Sequence, residues 1–486
     1  MSLRRVAIAA GPAAFLLAMA LLPESRADEA GLSAAGRVTA ALGLWMALWW
    51  ITEAVPLAVT SLLPLVLLPL LGALSGTRAA APYAHPLIFL FMGGFIIGLA
   101  MQKCGLHRRL ALLVLLGAGE RPALLVAGFM IATAAISMWI SNTATAMMML
   151  PIGKSVIDTL RERAGRLDAG QERAYANFGA ALMLGIAFAA SIGGIGTLVG
   201  TPPNLIFAAF VEKQYGAQVA MIEWMKMGVP LMLVLLPLAW LLLVGVACRF
   251  PGLQLAGSRD VVRSELAALG PMSRGEWTVL AVFLLTATGW VLQPQLARWT
   301  GLAELSDTAI ALAGAILLFV LPVGGRPAAF AMDWKTARTL PWDILILFGG
   351  GLSLATALSA NEVDVFLAAR LMGAAGLHPL LFLLLLAGAI TLLSEVASNT
   401  AVAAALMPVL AAAALAMNMP PAPLLAVAAL ASSCGFMLPV ATPPNAIVYG
   451  SGYVPLSRMI RAGLALDVIG ILAIAGYVHF VGHPVF

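Results

Sequence analysis

The string SNTATA at residues 141 to 146 and the string SNTAVA at residues 398 to 403 interrupt two strongly apolar stretches of the chain. Apolar runs such as AAISMWI and MMMLP surround the first string. Polar side chains in such surroundings are costly unless they are hydrogen-bonded or bind a ligand. The two strings are therefore the first candidates for a functional site, and the fold must explain why there are two of them.

The composition is that of a membrane protein. Of the 486 residues, 62% are hydrophobic and 10% are charged, and the mean hydropathy is +0.99. Soluble globular proteins are far more polar. Apolar stretches of about 20 residues, the length of a helical crossing, recur throughout, and no alternating ten-residue pattern indicates a barrel. We expect an all-α polytopic membrane protein.

The apolar stretches predict about 11 transmembrane helices. The predicted crossings are 6 to 23, 37 to 52, 54 to 73, 86 to 103, 177 to 212, 228 to 248, 276 to 294, 307 to 323, 342 to 369, 423 to 450 and 460 to 481. Two further apolar stretches, which contain the SNT strings, are too long for one crossing. They predict re-entrant hairpins at 122 to 154 and 379 to 416.

The distribution of basic residues orients these crossings, because Lys and Arg gather on the cytoplasmic side. With the N-terminus in the cytoplasm and the C-terminus outside, 20 of the 27 basic residues lie inside. The outer side then holds Arg26, Arg37, Arg78, Lys213, Lys226, Arg298 and Arg370. The net charge of +5 is thus a topology signal, and we expect membrane lipid and no nucleic acid as a partner.

The chain contains two copies of one pattern. A shift of 257 residues aligns the SNT strings and also aligns LFMGGF at 90 to 95 with LFGGGL at 347 to 352. A shift of 241 aligns GTPPN at 200 to 204 with ATPPN at 441 to 445. Five predicted crossings per copy require opposite orientations in the membrane, which indicates the inverted repeat of a secondary transporter.

The repeat sets the expected domain organisation. Residues 1–36 form a first, retained transmembrane helix and an outer loop, 37–250 the first repeat, 251–275 a cytoplasmic linker and 276–486 the second repeat. A cleaved signal peptide is the alternative for the first apolar segment, whose length of about 17 residues favours a retained helix. The glycines at 93, 94, 98, 349, 350 and 351 predict close helix packing.

Paired prolines predict a break in one helix of each repeat. A proline cannot donate to the carbonyl four residues earlier, and it disfavours the α region for the residue before it. Pro202 with Pro203 and Pro443 with Pro444 should therefore leave bare backbone carbonyls, which in hydrocarbon must line a cavity or bind a cation. Asn204 and Asn445 are expected to cap the helices that resume, whose N-terminal ends favour an anion.

The two motifs together predict two cation sites and one anion site. Ser, Thr and Asn offer oxygen ligands to a cation and donors to a carboxylate. One cation is expected at Ser137, Ser141, Asn142 and the backbone of Gly200, and the other at Ser394, Ser398, Asn399 and the backbone of Ala441. The anion is expected between them, bound by Asn142, Thr143, Thr201, Asn399, Thr400 and Thr442.

Several motifs closely resemble those of the divalent anion/sodium symporter family. They are ITEAVPLAVTSLLPL, SMWISNTATAMMMLPI, SIGGIGTLVGTPPN, LPWDILILFGGGL, SEVASNTAVAAALMP and LPVATPPNAIVYG, and they cover nearly the whole chain. The resemblance implies a homodimer in the bacterial inner membrane, two sodium sites that include Ala397, a C4-dicarboxylate that also contacts Pro443, and elevator-type alternating access.

Charge balance predicts two to three sodium ions per cycle. No Arg or Lys stands near either motif, so cations must accompany a dianion such as succinate, malate or fumarate. Coupling to protons through Glu395 or Glu53, exchange, and transport of citrate or sulfate remain open, as does a channel. No HExxH, GxSxG or SxxK motif indicates an enzyme.

Overall fold

The computed structural model describes residues 3–24, 31–164, 168–255, 257–302, 304–324, 329–371, 378–417 and 419–482. Its described part is built almost wholly of helices, as the composition predicts. Arg26, Arg166, Arg326 and the side chain of Arg370, which enter the charge-based topology, lie outside the described residues.

The first half of the chain contains helices α1 to α12, and most of the predicted crossings coincide with them. Their bounds are α1 Leu3–Leu21, α2 Ala34–Thr52, α3 Leu57–Thr60, α4 Leu63–Leu70, α5 Gly76–Ala80, α6 Pro86–Cys104, α7 Leu106–Leu116, α8 Pro122–Ser137, α9 Asn142–Ala164, α10 Ala169–Gly194, α11 Pro202–Tyr215 and α12 Met221–Leu242. A 3₁₀ turn, Ala81–Ala84, precedes α6, and a π-helical turn, Leu243–Ala247, follows α12.

The second half contains the remaining helices and a small antiparallel strand pair that the sequence did not predict. The helices are α13 Ser258–Ala268, α14 Arg274–Thr300, α15 Asp307–Val320, α16 Trp334–Ala337, α17 Trp342–Ala360, α18 Val363–Leu371, α19 Pro379–Ser394, α20 Asn399–Ala416, α21 Pro421–Ser432, α22 Pro443–Gly450 and α23 Leu456–Phe480. Strands β1 Pro322–Gly324 and β2 Ala329–Phe330 pair beside α15.

By length and composition, nine helices in the described ranges could cross a membrane. Eight of them correspond to predicted crossings, and the ninth, Asn399–Ala416, is one arm of a predicted hairpin. Three predicted crossings are shorter apolar helices, namely Leu57–Leu70 with its internal break, Asp307–Val320 and Pro421–Ser432. Eleven crossings and the re-entrant insertion of the hairpins therefore stay predictions.

Both SNT strings lie where two helices meet. Helix α8 ends at Ser137 and α9 begins at Asn142, while α19 ends at Ser394 and α20 begins at Asn399. Prolines at the first position of α8 and α19 suit helix starts, because the missing N–H would be unpaired there. Each string is thus the tip of a helix-turn-helix unit.

The paired prolines interrupt a helix in each repeat, as predicted. Residues 195–201 separate α10 from α11, and residues 433–442 separate α21 from α22. Helix α10 packs on both hairpin helices, α8 and α9, and also on α22 of the other repeat, while α11 packs on α20 and α21. The broken helices therefore lie between the two repeats, with α10 buried over almost its whole length.

Three of the six glycines predicted to pack closely make very close contacts with other elements. A Cβ atom on Gly93 would come within 2.8 Å of the Ala311 backbone, one on Gly349 within 2.3 Å of the Tyr83 ring, and one on Gly350 within 2.4 Å of the Ser61 carbonyl oxygen. At Gly94, Gly98 and Gly351 the nearest atoms are 3.1, 3.4 and 3.7 Å away. The packing prediction holds most strictly for the first three.

Candidate functional site

The two hairpin tips and the two interrupted helices line one cavity of about 930 Å³. All seven predicted anion-binding residues lie on its wall, which is what an inverted repeat with a central site requires. These residues are Asn142, Thr143, Thr201, Asn399, Thr400, Thr442 and Pro443. Of the predicted cation ligands, Ser141, Gly200, Ser398 and Ala441 also line it, whereas Ser137, Ser394 and Ala397 lie buried outside its lining.

Four helices begin at the cavity, which makes its wall favourable for an anion. Helices α9 and α20 start at Asn142 and Asn399, and α11 and α22 start at Pro202 and Pro443. A helix N-terminus presents free N–H groups and a partial positive charge. None of the described residues that line the cavity is Arg or Lys, so this polarity comes from backbone and neutral side chains.

Four oxygen atoms converge at the first predicted cation site. Asn142 Oδ1 lies 2.8 Å from Ser137 Oγ, and the same amide position is 3.1 Å from Ala190 O and 3.3 Å from Gly200 O. With the amide rotated, its nitrogen would donate to all three. Oxygen atoms are the ligands that hard cations prefer. The donor set gathered around the Asn142 amide is therefore chemically suited to a sodium ion.

At the second predicted cation site, one polar atom is buried without a partner. Asn399 Oδ1 has no hydrogen-bond partner among the described residues, and an oxygen in that condition is costly unless a ligand satisfies it. Ser394 Oγ donates instead to Ile390 O in its own helix, at 2.9 Å. Ala397 and Ala441 are 5% and 4% exposed. The oxygen of Asn399 suits a cation on this side, whereas the Ser394 hydroxyl bonds within its own helix.

The prediction that Asn204 and Asn445 cap the resuming helices is wrong. The caps are Thr201 and Thr442, and Thr442 Oγ1 accepts from Asn445 N at 3.3 Å. Because two prolines occupy the first two helical positions, each asparagine is the third residue of its helix. Its side chain therefore points back toward the unwound segment rather than forward along the helix.

These two asparagines hold the unwound segments by the same pair of bonds. Asn204 Nδ2 donates to Gly194 O at 3.0 Å and to Thr197 O at 2.7 Å. Asn445 Nδ2 donates to the equivalent carbonyls of Gly435 and Leu438, at 3.2 and 3.0 Å. Both residues are fully buried. The duplicated PPN string was the signal for this role, but spacing alone did not give the direction of the side chains.

One end of the cavity lies on the side that the basic residues mark as cytoplasmic. Gln102 and Thr339 line this end, and each is followed or preceded in the chain by a basic residue, Lys103 or Arg338. The acidic residues Glu53 and Asp343 also line the cavity. Glu53 ends α2 with φ at 45°. Lys103 Nζ lies 2.6 Å from Asp333 Oδ2, and its hydrogen bond lowers the pKa of the Asp333 carboxyl to about 2.

The remaining predicted carboxylate, Glu395, lies buried at the second hairpin tip. It is 1% exposed, and its two carboxylate oxygens accept backbone N–H groups of the second unwound segment. Asp467 of α23 is buried next to it and accepts the N–H of Phe436 at 3.1 Å. The sequence singled out Glu395 but gave no sign that Asp467 lies beside it.

Comparison with known proteins gives one consistent result. Residues 5–486 match the family model described as the sodium:sulfate symporter transmembrane region. The chain is 39% identical over 485 residues to a protein of Staphylococcus saprophyticus named sodium-dependent dicarboxylate transporter SdcS, covering 99% of this chain and 92% of that one. A protein of the same name from Staphylococcus aureus, strain bovine RF122, is 38% identical over 475 residues, 97% and 90% of the two chains.

A solved structure supports the fold. The crystal structure of the YdaH transporter of Alcanivorax borkumensis superposes with a TM-score of 0.57, covering 86% of this chain and 89% of that one. The sequences are 15% identical, so this likeness concerns the fold alone.

Proposed function

Since the chain belongs to the sodium:sulfate symporter family, we propose that it imports C4-dicarboxylates such as succinate, malate and fumarate together with sodium ions. It is a transporter and not an enzyme. The relatives that cover nearly its whole length are named sodium-dependent dicarboxylate transporters. The observation that carries the proposal is the single cavity formed by both SNT tips and both interrupted helices.

The chemistry of the cavity suits a dianion that travels with cations. Hydroxyl, amide and backbone N–H groups can bind both carboxylates, but the lining carries no basic side chain among its described residues. Two negative charges in a membrane-embedded site need compensation. Sodium ions at Ser137, Ser141, Asn142 and Gly200, and at Ser394, Ala397, Ser398, Asn399 and Ala441, would supply it directly beside the substrate.

Membrane potential sets the number of ions. At about 100 mV, inside negative, importing a dianion opposes the field by about 4.6 kcal/mol. Two sodium ions cancel this cost, and a third makes the potential a driving force. We therefore propose electrogenic symport with three ions, in a multi-pass protein of the bacterial inner membrane whose N-terminus is cytoplasmic.

Alternating access would move the site across the membrane. The inverted repeat and the broken helices support an elevator-type movement in a homodimer, with the hairpins 122–154 and 379–416 travelling with the substrate. Gln102 and Thr339 of the cavity lining are chain neighbours of Lys103 and Arg338, which the charge distribution assigns to the cytoplasm. This supports assigning the structure to an inward-facing state in the proposed cycle.

The deciding experiment is uptake of labelled succinate into proteoliposomes that contain the purified chain. An inward sodium gradient is compared with choline, each with and without an inside-negative potassium diffusion potential. Uptake should require sodium and increase with the potential. Potential-independent uptake would remove the third ion from the proposal.

The second candidate function is proton-coupled or exchange transport of citrate, sulfate or another divalent anion. The carboxyl groups of Glu395 and Asp467 favour proton coupling as the alternative, because ionisable groups buried in a membrane protein can carry protons. Uptake that ignores sodium but needs a proton gradient or an internal anion would select it. Counterflow of labelled succinate separates either carrier from a channel, which shows none.

A further inference from the structure

In each repeat, one side chain joins the hairpin tip to the unwound segment. The shift of 257 that aligns the SNT strings aligns Met138 with Glu395, and the shift of 241 that aligns the PPN strings aligns Thr197 with Leu438. Met138 and Glu395 are the first residues after α8 and α19. Thr197 and Leu438 lie in the unwound segments. In both repeats the residue after the first hairpin helix is hydrogen-bonded to the aligned residue of the unwound segment, but different chemical groups form the bond.

In the first repeat the joining side chain comes from the unwound segment. Thr197 Oγ1 donates to the Met138 carbonyl oxygen and accepts from Gly200 N at 3.1 Å. Thr197 is fully buried, so water does not compete for these bonds. One hydroxyl therefore fixes the tip against the segment and also orients the peptide next to the Gly200 carbonyl, a proposed cation ligand.

In the second repeat the joining side chain comes from the tip. Glu395 Oε2 accepts from Leu438 N at 2.7 Å, and Oε1 accepts from Met437 N at 2.8 Å. Leucine has no side-chain donor, so the aligned bond can form only if the tip residue supplies the acceptor. A carboxylate does so with two short, charge-assisted bonds. Methionine at position 138 needs no such group, because Thr197 brings its own hydroxyl.

We propose that Thr197 and Glu395 are the positioning residues of the two cation sites. Each site takes ligands from a tip and from an unwound segment, so it binds an ion tightly only when these two parts are held at a fixed separation. The tethers provide that separation before the ion arrives. The inference rests on the proposed function, and it assigns Glu395 a role other than carrying a proton.

The test compares variants that differ by one hydrogen-bonding group. Thr197→Val keeps the shape and removes the hydroxyl, and Thr197→Ser keeps the hydroxyl. Glu395→Gln keeps the length but leaves one oxygen for two N–H groups. Ser353→Ala is the matched control, because Ser353 Oγ also donates to a buried carbonyl between two elements, Ala79 O at 2.8 Å, and does not line the cavity.

The sodium concentration for half-maximal succinate uptake is the informative quantity. It should rise about three- to tenfold in Thr197→Val and in Glu395→Gln, the effect of losing one buried hydrogen bond. Thr197→Ser and Ser353→Ala should remain at the wild-type value. The succinate KM at saturating sodium should change little in all four, because sodium in excess restores the site geometry.

Several results would overturn the inference. The inference is wrong if Thr197→Val and Glu395→Gln reach half-maximal uptake at the wild-type sodium concentration and lose only as much stability as Ser353→Ala does. If a variant does not fold, hydrogen exchange on the sodium-free wild type decides, since the amides of Gly200, Met437 and Leu438 should already exchange slowly before an ion binds. Fast exchange at these amides rejects the tethers. Sodium-independent uptake by the wild type would instead reject the proposed function.

Discussion

A single asparagine at each hairpin tip can serve both kinds of ligand. The carbonyl oxygen of Asn142 belongs to the cluster with Ser137 Oγ, while Asn142 also lines the cavity. Asn399 also lines the cavity, and its buried Oδ1 has no hydrogen-bond partner in the described part of the chain. Alanine at either position would remove a proposed cation ligand and a proposed carboxylate donor together.

We expect Asn142→Ala and Asn399→Ala each to lower sodium-dependent succinate uptake by about 100-fold or more. Loss of a residue that merely supports a metal ligand already costs about 10- to 100-fold, and these residues are proposed to be ligands themselves. The measurement is initial uptake into proteoliposomes at equal protein content, with thermal unfolding recorded on the same preparations.

The control for this pair is Asn177→Ala. In the wild type, Asn177 Nδ2 donates to Arg249 O over a distance of 2.6 Å, and Asn177 does not line the cavity. This variant should transport at the wild-type rate. Robust uptake by either tip variant would refute the site assignment, and loss of folding in both would leave the hydrogen-bonded Ser137 cluster to be tested by Ser137→Ala.

At the scale of elements, close packing around a helix limits which residue types fit at individual positions. Helix α17 presents Gly350 to the Ser61 carbonyl, where a Cβ would lie at 2.4 Å, and presents Gly351 to Ala404 Cβ at 3.7 Å. Both glycines are inside the same helix. Of these two positions, only position 350 has a neighbouring backbone that leaves no room for a Cβ atom, so only there is glycine required. The motif LFGGGL by itself does not distinguish the two positions.

We therefore expect Gly350→Ala to destabilise the protein and Gly351→Ala to leave it unchanged or stabilise it. Overpacking costs about 1–3 kcal/mol, whereas alanine in a helix interior is favoured over glycine by about 0.5–1 kcal/mol. Thermal unfolding in detergent measures both variants under one condition. Equal shifts in the same direction would show that the contact between α17 and residue 61 is not rigid.

The interrupted helices show a second lesson at this scale. Paired prolines predict where α11 and α22 begin, because a proline fixes φ and its missing N–H would be unpaired in the first helical turn anyway. They do not predict the direction of the side chains that follow. Asn204 reaches back to Gly194 O and Thr197 O, since two prolines have already used the first helical positions.

At the scale of the whole molecule, the inverted repeat makes a claim that one experiment can test. Glu162 follows the first hairpin and Pro420 follows the second, and both are exposed. Glu162 lies near the end of α9 and Pro420 directly precedes α21. The repeat requires that these equivalent positions lie on opposite sides of the membrane, with residue 162 in the cytoplasm.

We expect a cysteine placed at Pro420 to react with a membrane-impermeant maleimide in intact cells, and a cysteine placed at Glu162 to react only after permeabilisation. Cys104 is partly exposed and is replaced by alanine in both backgrounds, while Cys248 and Cys434 are buried. Labelling of both positions from one side would contradict the inverted repeat, whatever the transport assays show.

The sequence by itself determined the helical membrane class, the two copies of the pattern, the tips at 141 and 398, the breaks at the paired prolines and the family. These features follow from composition and from local rules, because bilayer thickness sets helix length and proline chemistry acts within one turn. The residues proposed to bind the anion could be named for the same reason.

Only the tertiary structure decided which distant groups meet. Gly350 packs on Ser61, and Asp467 is buried beside Glu395, although each pair comes from separate elements. The hydrogen bonds of Thr197 and Glu395 likewise join the hairpin tips to the unwound segments. Hydrogen bonds and close contacts depend on separations of tenths of an ångström, and no periodicity or spacing along the chain fixes those. The sequence pattern therefore names the residues of the proposed site, and the tertiary packing determines their hydrogen-bond partners.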